Sequence, residues 1–377
     1  MGTRGPEPKP KTIHLLWGKA AGMCQYEGCR ELLFYDDTTT CEFNAAYIAH
    51  IVASNPDGPR GDPVRSHLLS DKIENLMLLC DKHHRLIDNT DIDGHPESVL
   101  LEMKNRREED VARLLTYFDK QKTYIIHMAS PIKGQPVSID NSQSKLAVLP
   151  QKQPAERYAL AIELNCVHSS NTIEYWVDLH SNLVVKFNQV RAVMHANPNL
   201  HFSVFCLAPM PLIAKFGELF GDKINVDVYQ KTREPDTWAW QSDSASNSFC
   251  VTRNETQYAQ SKDIALIIAL CSEIDHSRLD VLKPKVIYTI KAARMGVDCI
   301  QSKDDLIAFW HIYQQVCNDI KNNEGADIIH LFPAMPVSAA FEIGRRRMHK
   351  VHPKILIYDD NNGFMPTIII GENNDQR

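Results

Sequence analysis

The apolar positions of this chain are arranged in two ways. In the C-terminal half, short apolar runs alternate with stretches in which apolar residues recur every three or four positions, and this alternation is written twice. FSVFCLAPMPLIAKFGELF is followed by INVDVYQ, and IIHLFPAMPVSAAFEIGRR is followed by KILIYDD. Each copy reads as a strand, a Met-Pro turn (Met210-Pro211, Met335-Pro336), a helix containing Gly217 or Gly344, and a further strand. Upstream, YALAIELN parallels IALIIALC, and each leads into another strand (EYWVDL, KVIYTI) and an amphipathic helix. Those helices carry Leu183, Phe187 and Val190 in one copy and Leu306, Trp310 and Tyr313 in the other. Strands alternating with helices predict two Rossmann-like α/β units side by side. In such sheets ligands sit beyond the carboxyl ends of the strands, against helix N-termini whose N–H groups and dipole favour phosphate. Two edges facing each other make one pseudo-symmetric pocket.

The N-terminal half is patterned differently. Residues 1–11, rich in Pro, Gly and Lys, predict a flexible arm, and residues 12–24 a short helix. The loop Asn55 to Asp62 is punctuated by Pro and Gly and predicts irregular structure. Pro96 opens a helix carrying Leu100, Met103, Val111 and Leu114, which closes the first domain near residue 117. Between Asp119 and Glu156, β-like pieces (TYIIHM, LAVL) are broken by PIKGQP and DNSQS. The expected organisation is therefore a domain over 1–117, a connecting segment over 118–156 and a second domain over 157–377, the latter divided into repeats of about 157–260 and 261–377.

Chemistry concentrates between Ala49 and Asp88. His50, Asn75 and His84 stand in the order and spacing H-x24-N-x8-H. A histidine able to take a proton from water, an asparagine able to fix it and a second histidine able to hold a metal suffice for phosphodiester hydrolysis. Around them lie two further pairs, Cys24 with Cys29 (C-x4-C) and Cys80 with His83 (C-x2-H). Three thiolates and an imidazole make a closed tetrahedral site of the structural zinc type. Such a site can supply roughly 10 to 16 kcal/mol of folding free energy in isolated zinc-finger peptides. Taken alone, the first pair is as well explained by ordinary buried thiols; the second pair, abutting the H-N-H residues, favours metal.

This stretch resembles the HNH endonuclease family, whose core is two strands and a helix around one metal. AHIVA and NLMLLC correspond to the strands and DKHHRLID to the helix start. By that resemblance His50 is the general base, Asn75 orients it, His84 ligates a catalytic Mg²⁺ or Mn²⁺, and Asp88, one helical turn on, is a further ligand. The position before the base, commonly a ligand in the family, is Ala49 here. Asp88 is expected to compensate, or phosphate to complete the shell. The paired C-terminal units, with FPAMPVSAAFEIGR, resemble the SAVED domain, a fusion of two CARF-like folds that senses cyclic oligonucleotides. HNH followed by SAVED is similar to the effectors of cyclic-oligonucleotide-based antiphage signalling systems (CBASS). The fold class implied is α/β overall, a small zinc-stabilised ββα-metal domain ahead of two fused CARF-like units. The activity implied is cleavage of double-stranded DNA, switched on when a cyclic di- or oligonucleotide drives homo-oligomerisation, dimer to tetramer. Ligand contacts are expected near strand ends and Met-Pro turns: Tyr229, Lys231, Trp240, Lys291, Arg294, Met335, Pro336, Ser338 and Arg345. For the aromatics, core packing is an equal alternative.

Composition narrows the choice. The 377 residues, 44% apolar and 23% charged, suit a soluble globular protein of two or three domains. A net charge of -6 argues against coating nucleic acid wholesale, so basic residues must act locally; Arg60, Arg65, Lys72, Lys82 and Arg85 crowd the H-N-H stretch. The charge also disfavours a constitutive restriction enzyme with a C-terminal DNA-reading domain. A non-catalytic zinc module joined to a sensor would require the H-N-H spacing to be accidental. Ten cysteines without an even framework, no signal-peptide pattern and no long apolar run predict a cytoplasmic protein with no membrane span.

Overall fold

The structure is a computed structural model that describes residues 3–36, 41–116, 120–149, 151–169, 172–241, 245–279, 282–348 and 351–372. It divides into two units, Met1–Asp119 and Lys120–Arg377.

In the first unit, α1 (Pro10–Lys19) starts with a proline in its first turn, where the missing N–H costs nothing. The residues before it are not the free arm expected. Gly5 N donates to Ser54 O at 2.8 Å, and Asp71 accepts from Lys9 N at 2.7 Å and Thr12 Oγ1 at 2.8 Å, so the segment is tied to the domain from residue 5 onward. Two short strands, β1 (Tyr35–Asp36) and β2 (Cys41–Glu42), form a small ladder. β3 (Tyr47–His50) then pairs antiparallel with β4 (Leu76–Leu79), His50 opposite Leu76 and Tyr47 opposite Leu79. The connection contains α2 (Arg65–Leu69). All four residues of β4 are buried, because the other face is covered by Leu16 of α1 and by Leu100. A helical turn, α3 (Asp81–Arg85), follows Cys80 and widens over Leu86–Thr90. α4 (Glu97–Leu115) ends the unit, with Leu100 in the core. The expected strand–strand–helix order is present.

The second unit holds two sheets. In the first, β5 (Lys122–Ala129) is central. It pairs in parallel with β7 (Leu160–Glu163) on one side and β8 (His201–Leu207) on the other; β8 pairs in parallel with β9 (Val226–Tyr229), and the short β6 (Gln153–Pro154) flanks the start of β5. The crossovers are α5 (Asn141–Val148), α6 (Ile173–Ala196) and α7 (Met210–Phe220). The second sheet runs β10 (Phe249–Glu255), β12 (Val286–Ala292), β11 (Ile264–Ala269), β13 (Ile328–Ala334), β14 (Lys354–Asp360), β15 (Phe364–Ile370), with antiparallel strands at both edges. α8 (Lys303–Asp319) and α9 (Val337–Arg345) cross over within it.

Several expectations are corrected here. TYIIHM does not belong to a connecting segment: it is β5, the middle strand of the first sheet. It, rather than YALAIELN, corresponds to IALIIALC, since both sit between the strands before and after the long helix. EYWVDL is not a strand but the start of α6, because Tyr175, Trp176, Leu179, Leu183, Phe187 and Val190 form one buried helical face and Thr172 caps the helix. LAVL lies within and just after α5, capped by Asp140, whose carboxylate accepts from Gln143 N at 2.8 Å. The chain reaches the second sheet at Phe249, ahead of residue 261, since β10 pairs with β12.

The repeats meet through α7 and α9. A Cβ on Gly217 would lie 2.1 Å from the Phe341 carbonyl oxygen, and one on Gly344 would lie 1.8 Å from that of Ala214. Only glycine lets two backbones approach so closely, so these equivalent residues set the crossing. Phe216, Phe220 and Phe341 pack edge to face around it.

Candidate functional site

In the first unit, the strand pair and the turn after it bring Cys24, Cys29, Cys80 and His83 together. Their donor atoms all lie within 4.8 Å of one another. His83 Nδ1 is 3.1 Å from Cys80 Sγ and 3.6 Å from Cys24 Sγ, and Cys80 N donates to Cys24 Sγ at 3.4 Å. Ligand atoms around a tetrahedral ion with bonds of about 2.0 to 2.3 Å are separated by similar distances, so the four residues fit a closed metal site. Burial pushes the Cys24 and Cys80 thiols above their ordinary value; as thiolates they need a cation beside them. Tyr26 stacks on the His83 ring at 4.1 Å and fixes its plane, while its hydroxyl meets His95 Nε2 at 2.9 Å.

His50 ends β3 half-buried, with Nε2 at 3.0 Å from the Ser70 carbonyl oxygen. A carbonyl only accepts, so Nε2 carries the hydrogen and Nδ1 keeps its lone pair. Burial lowers the pKa of His50 and outweighs the opposing effect of the Ser70 carbonyl, favouring the neutral base. Asn75 makes no hydrogen bond to the imidazole among the described residues. Its Oδ1 accepts from Val52 N at 2.8 Å, and its Nδ2 donates to Val52 O at 2.9 Å and Leu69 O at 3.3 Å. It thus clamps the chain two residues past His50 to the segment that supplies the Ser70 carbonyl, and any orientation of the base by Asn75 passes through backbone.

His84 Nε2 lies 3.4 Å from Asp88 Oδ2, one turn apart as expected. The other oxygen is taken: Arg60 Nη2 donates to Asp88 Oδ1 at 2.6 Å. Arg60 is not a surface cation. It adopts φ +53°, is largely buried, and donates also to Ile51 O at 2.7 Å and Ile87 O at 2.8 Å. Arg65 and Arg85 pair with Glu97 and Asp81. His84 and Asp88 therefore fit two corners of a divalent-ion site, each offering one atom. Tyr47, exposed on β3, stacks on His84 at 4.8 Å, a neighbour hidden from sequence by the strand register.

In the second unit, most of the expected ligand contacts have other work. Tyr229 is buried and stacked on Phe205 at 4.5 Å. Met335 and Pro336 are buried in the turn before α9. Ser338 donates through both N and Oγ to Gln230 Oε1 at 3.1 and 2.9 Å. Arg345 is buried in a two-armed ion pair with Glu342, at 2.9 and 3.0 Å. All five are engaged with neighbours inside the second unit. Lys231 pairs with Asp236 beside Trp238, Lys291 with Glu273 at 2.7 Å, and Arg294 donates to Ala245 O at 3.0 Å; Trp240 is half-buried. The open space at the carboxyl edge lies elsewhere, in a cavity of about 120 Å³ lined by Tyr175, Trp176, Met210 and Asp359 among others. Sequence reasoning missed Trp176 because its helix reads as a strand; Asp359 was within reach, as a carboxylate ending an apolar strand.

Residues 187–370 match the family model described as SAVED, "SMODS-associated and fused to various effectors sensor domain". The matched residues all lie in the second unit. Among solved structures, the chain is similar to the Cap4 SAVED/CARF-domain containing receptor of Acinetobacter baumannii. With the cyclic trinucleotide 2′3′3′-cAAA bound to that receptor, the TM-score is 0.43 at 12% identity, covering 72% of this chain and 60% of that one. The Moraxella osloensis Cap4 receptor gives a TM-score of 0.39 at 14% identity, covering 73% and 59%. The chain spans about three fifths of the length of these receptors. No curated protein matches it. Among the described residues, no helix is long and apolar enough to cross a membrane.

Proposed function

We propose that this protein is a cyclic-nucleotide-activated, metal-dependent endonuclease that degrades double-stranded DNA in antiphage defence of the CBASS type. The observation that carries the nuclease part is His50: a half-buried imidazole with Nε2 committed to Ser70 and Nδ1 free, on a strand pair pinned by a Cys₃His cluster. The sensing part is supported by the SAVED match.

In this reading His50 Nδ1 takes the proton from the attacking water, and Asn75 is a positioning residue that holds both the strand bearing His50 and the segment that keeps its tautomer. His84 and Asp88 would hold the catalytic divalent ion, with Arg60 fixing the Asp88 carboxylate. When bound, Mg²⁺ or Mn²⁺ supplies positive charge to phosphate and to the leaving oxygen. Cys24, Cys29, Cys80 and His83 would hold a structural Zn²⁺. A single finger cuts one strand, so cutting both requires assembly, and the messenger acts by promoting it.

The test is plasmid cleavage by purified protein with Mg²⁺ and a panel of cyclic di- and trinucleotides. Cleavage is expected with one or a few messengers and not without. Full-speed cleavage with no messenger would remove the sensor reading, and inertness under every messenger and metal would remove the nuclease reading.

A further inference from the structure

The cavity of about 120 Å³ at the carboxyl edge of the first sheet is bounded by residues of both repeats: Trp176 from the start of α6, Pro209 and Met210 from the start of α7, and Asp359 from the end of β14. It is of the size of a purine base. It shares Lys133 and Tyr175 with a neighbouring polar cavity of about 330 Å³, lined also by Ser130, His168 and Ser169, which has room for sugar and phosphate. Lys133 is exposed in the turn after β5, at φ +49°, and is the cation of this wider cavity.

Two polar groups of the tight cavity lack a hydrogen-bond partner among the described residues. The half-buried Asp359 carboxylate has only the charge of Lys133, which lines the same cavity, acting on it, and the indole Nε1 of Trp176, in a side chain 2% exposed, has no partner. Burial raises the Asp359 carboxyl to about 6, against the pull of Lys133, so near neutrality it is mostly ionised yet poorly solvated. A half-buried carboxylate in such a cavity is relieved by N–H donors, and it can only accept. Guanine presents two adjacent donors on its pairing edge, N1–H and N2–H. Adenine presents one donor beside one acceptor, so an ionised carboxylate can serve only the donor and is left facing the lone pair of the acceptor.

Resting on the sensor reading above, we propose that this cavity is a nucleobase subsite that selects guanine, with Asp359 accepting from its pairing edge and Lys133 facing the adjoining phosphate. The activating messenger then carries at least one guanine.

Binding of 3′,3′-cyclic di-GMP, 3′,3′-cyclic GMP–AMP, 3′,3′-cyclic di-AMP and a cyclic triadenylate to the full chain tests this by calorimetry. The guanine-bearing probes are expected to bind at least about tenfold more tightly than cyclic di-AMP. Asp359→Asn, which replaces one acceptor by a donor and suits adenine, should erase or invert that preference while leaving the thermal melt in place. Lys133→Ala should weaken every probe about three- to tenfold and leave the preference unchanged. Wild-type protein that binds cyclic di-AMP as tightly overturns the guanine assignment whatever the variants do, as does an unchanged preference in D359N. If only a cyclic triadenylate binds, the sensor reading stands and the subsite falls; if no cyclic nucleotide binds, both fall.

Discussion

His50 gives one ring nitrogen to a carbonyl and leaves the other with its lone pair, and that division makes the first prediction sharp. His50→Ala should lower DNA cleavage by about 10² to 10⁴-fold, with the melting temperature of the protein little changed; equal cleavage by the variant would remove His50 as the base. Because burial lowers its pKa, the neutral form survives below the ordinary histidine value of 6.5. The acid limb of the rate–pH profile should therefore fall at lower pH than 6.5, read from initial rates across pH 4 to 8. Asn75→Ala removes hydrogen bonds to Val52 and Leu69 and should cost about 1 to 3 kcal/mol of stability in denaturant titrations as well as rate. His50, Asn75 and His84 were singled out by their spacing alone. The Ser70 carbonyl and the inward turn of Arg60 were not, since a backbone acceptor has no sequence signature and φ +53° at an arginine follows from the surrounding loop.

At the scale of elements, the cluster of three thiols and one imidazole ties the segment after α1 to the strand–turn that bears His84. Chelation, or Cys24→Ser, should melt the Met1–Asp119 unit well before the other. A single unshifted calorimetric transition would contradict a folding role for metal. The second unit has its own acid sensitivity. Burial lowers His127 and His201 to about 4, with the Lys152 charge adding to the effect at His201. Both are neutral in the folded state, while an unfolded chain protonates them near 6.5, so their contribution is complete above 6.5 and is lost as pH falls from there to about 4. The loss is on the order of 3 kcal/mol for each, and His201→Gln should flatten that part of the stability–pH curve. Element types were readable where one pattern dominated, as in IALIIALC. They misread where β-prone residues sat on a helical face, as in EYWVDL, because burial against the sheet decides between the two.

On the scale of the whole molecule, the duplication in the sequence is real in the fold, yet its phase was off by one strand. Apolar runs announce that strands exist, but only sheet order shows which are equivalent, and β5 was lost in a stretch broken by turns. Mass measurement with and without an activating cyclic nucleotide should show an increase to a dimer or larger; full activity at unchanged mass would contradict activation by assembly. The α7–α9 crossing holds the two repeats together at its pair of glycines. Gly217→Ala or Gly344→Ala would drive a methyl group into a carbonyl of the opposing helix, and each should cost about 1 to 3 kcal/mol or more, seen as a lower melting temperature of the second unit. Backbone meets backbone at these two glycines, so there is no side chain at that point to compress and the two helices cannot draw closer, while the phenylalanines around it wedge the crossing against slipping.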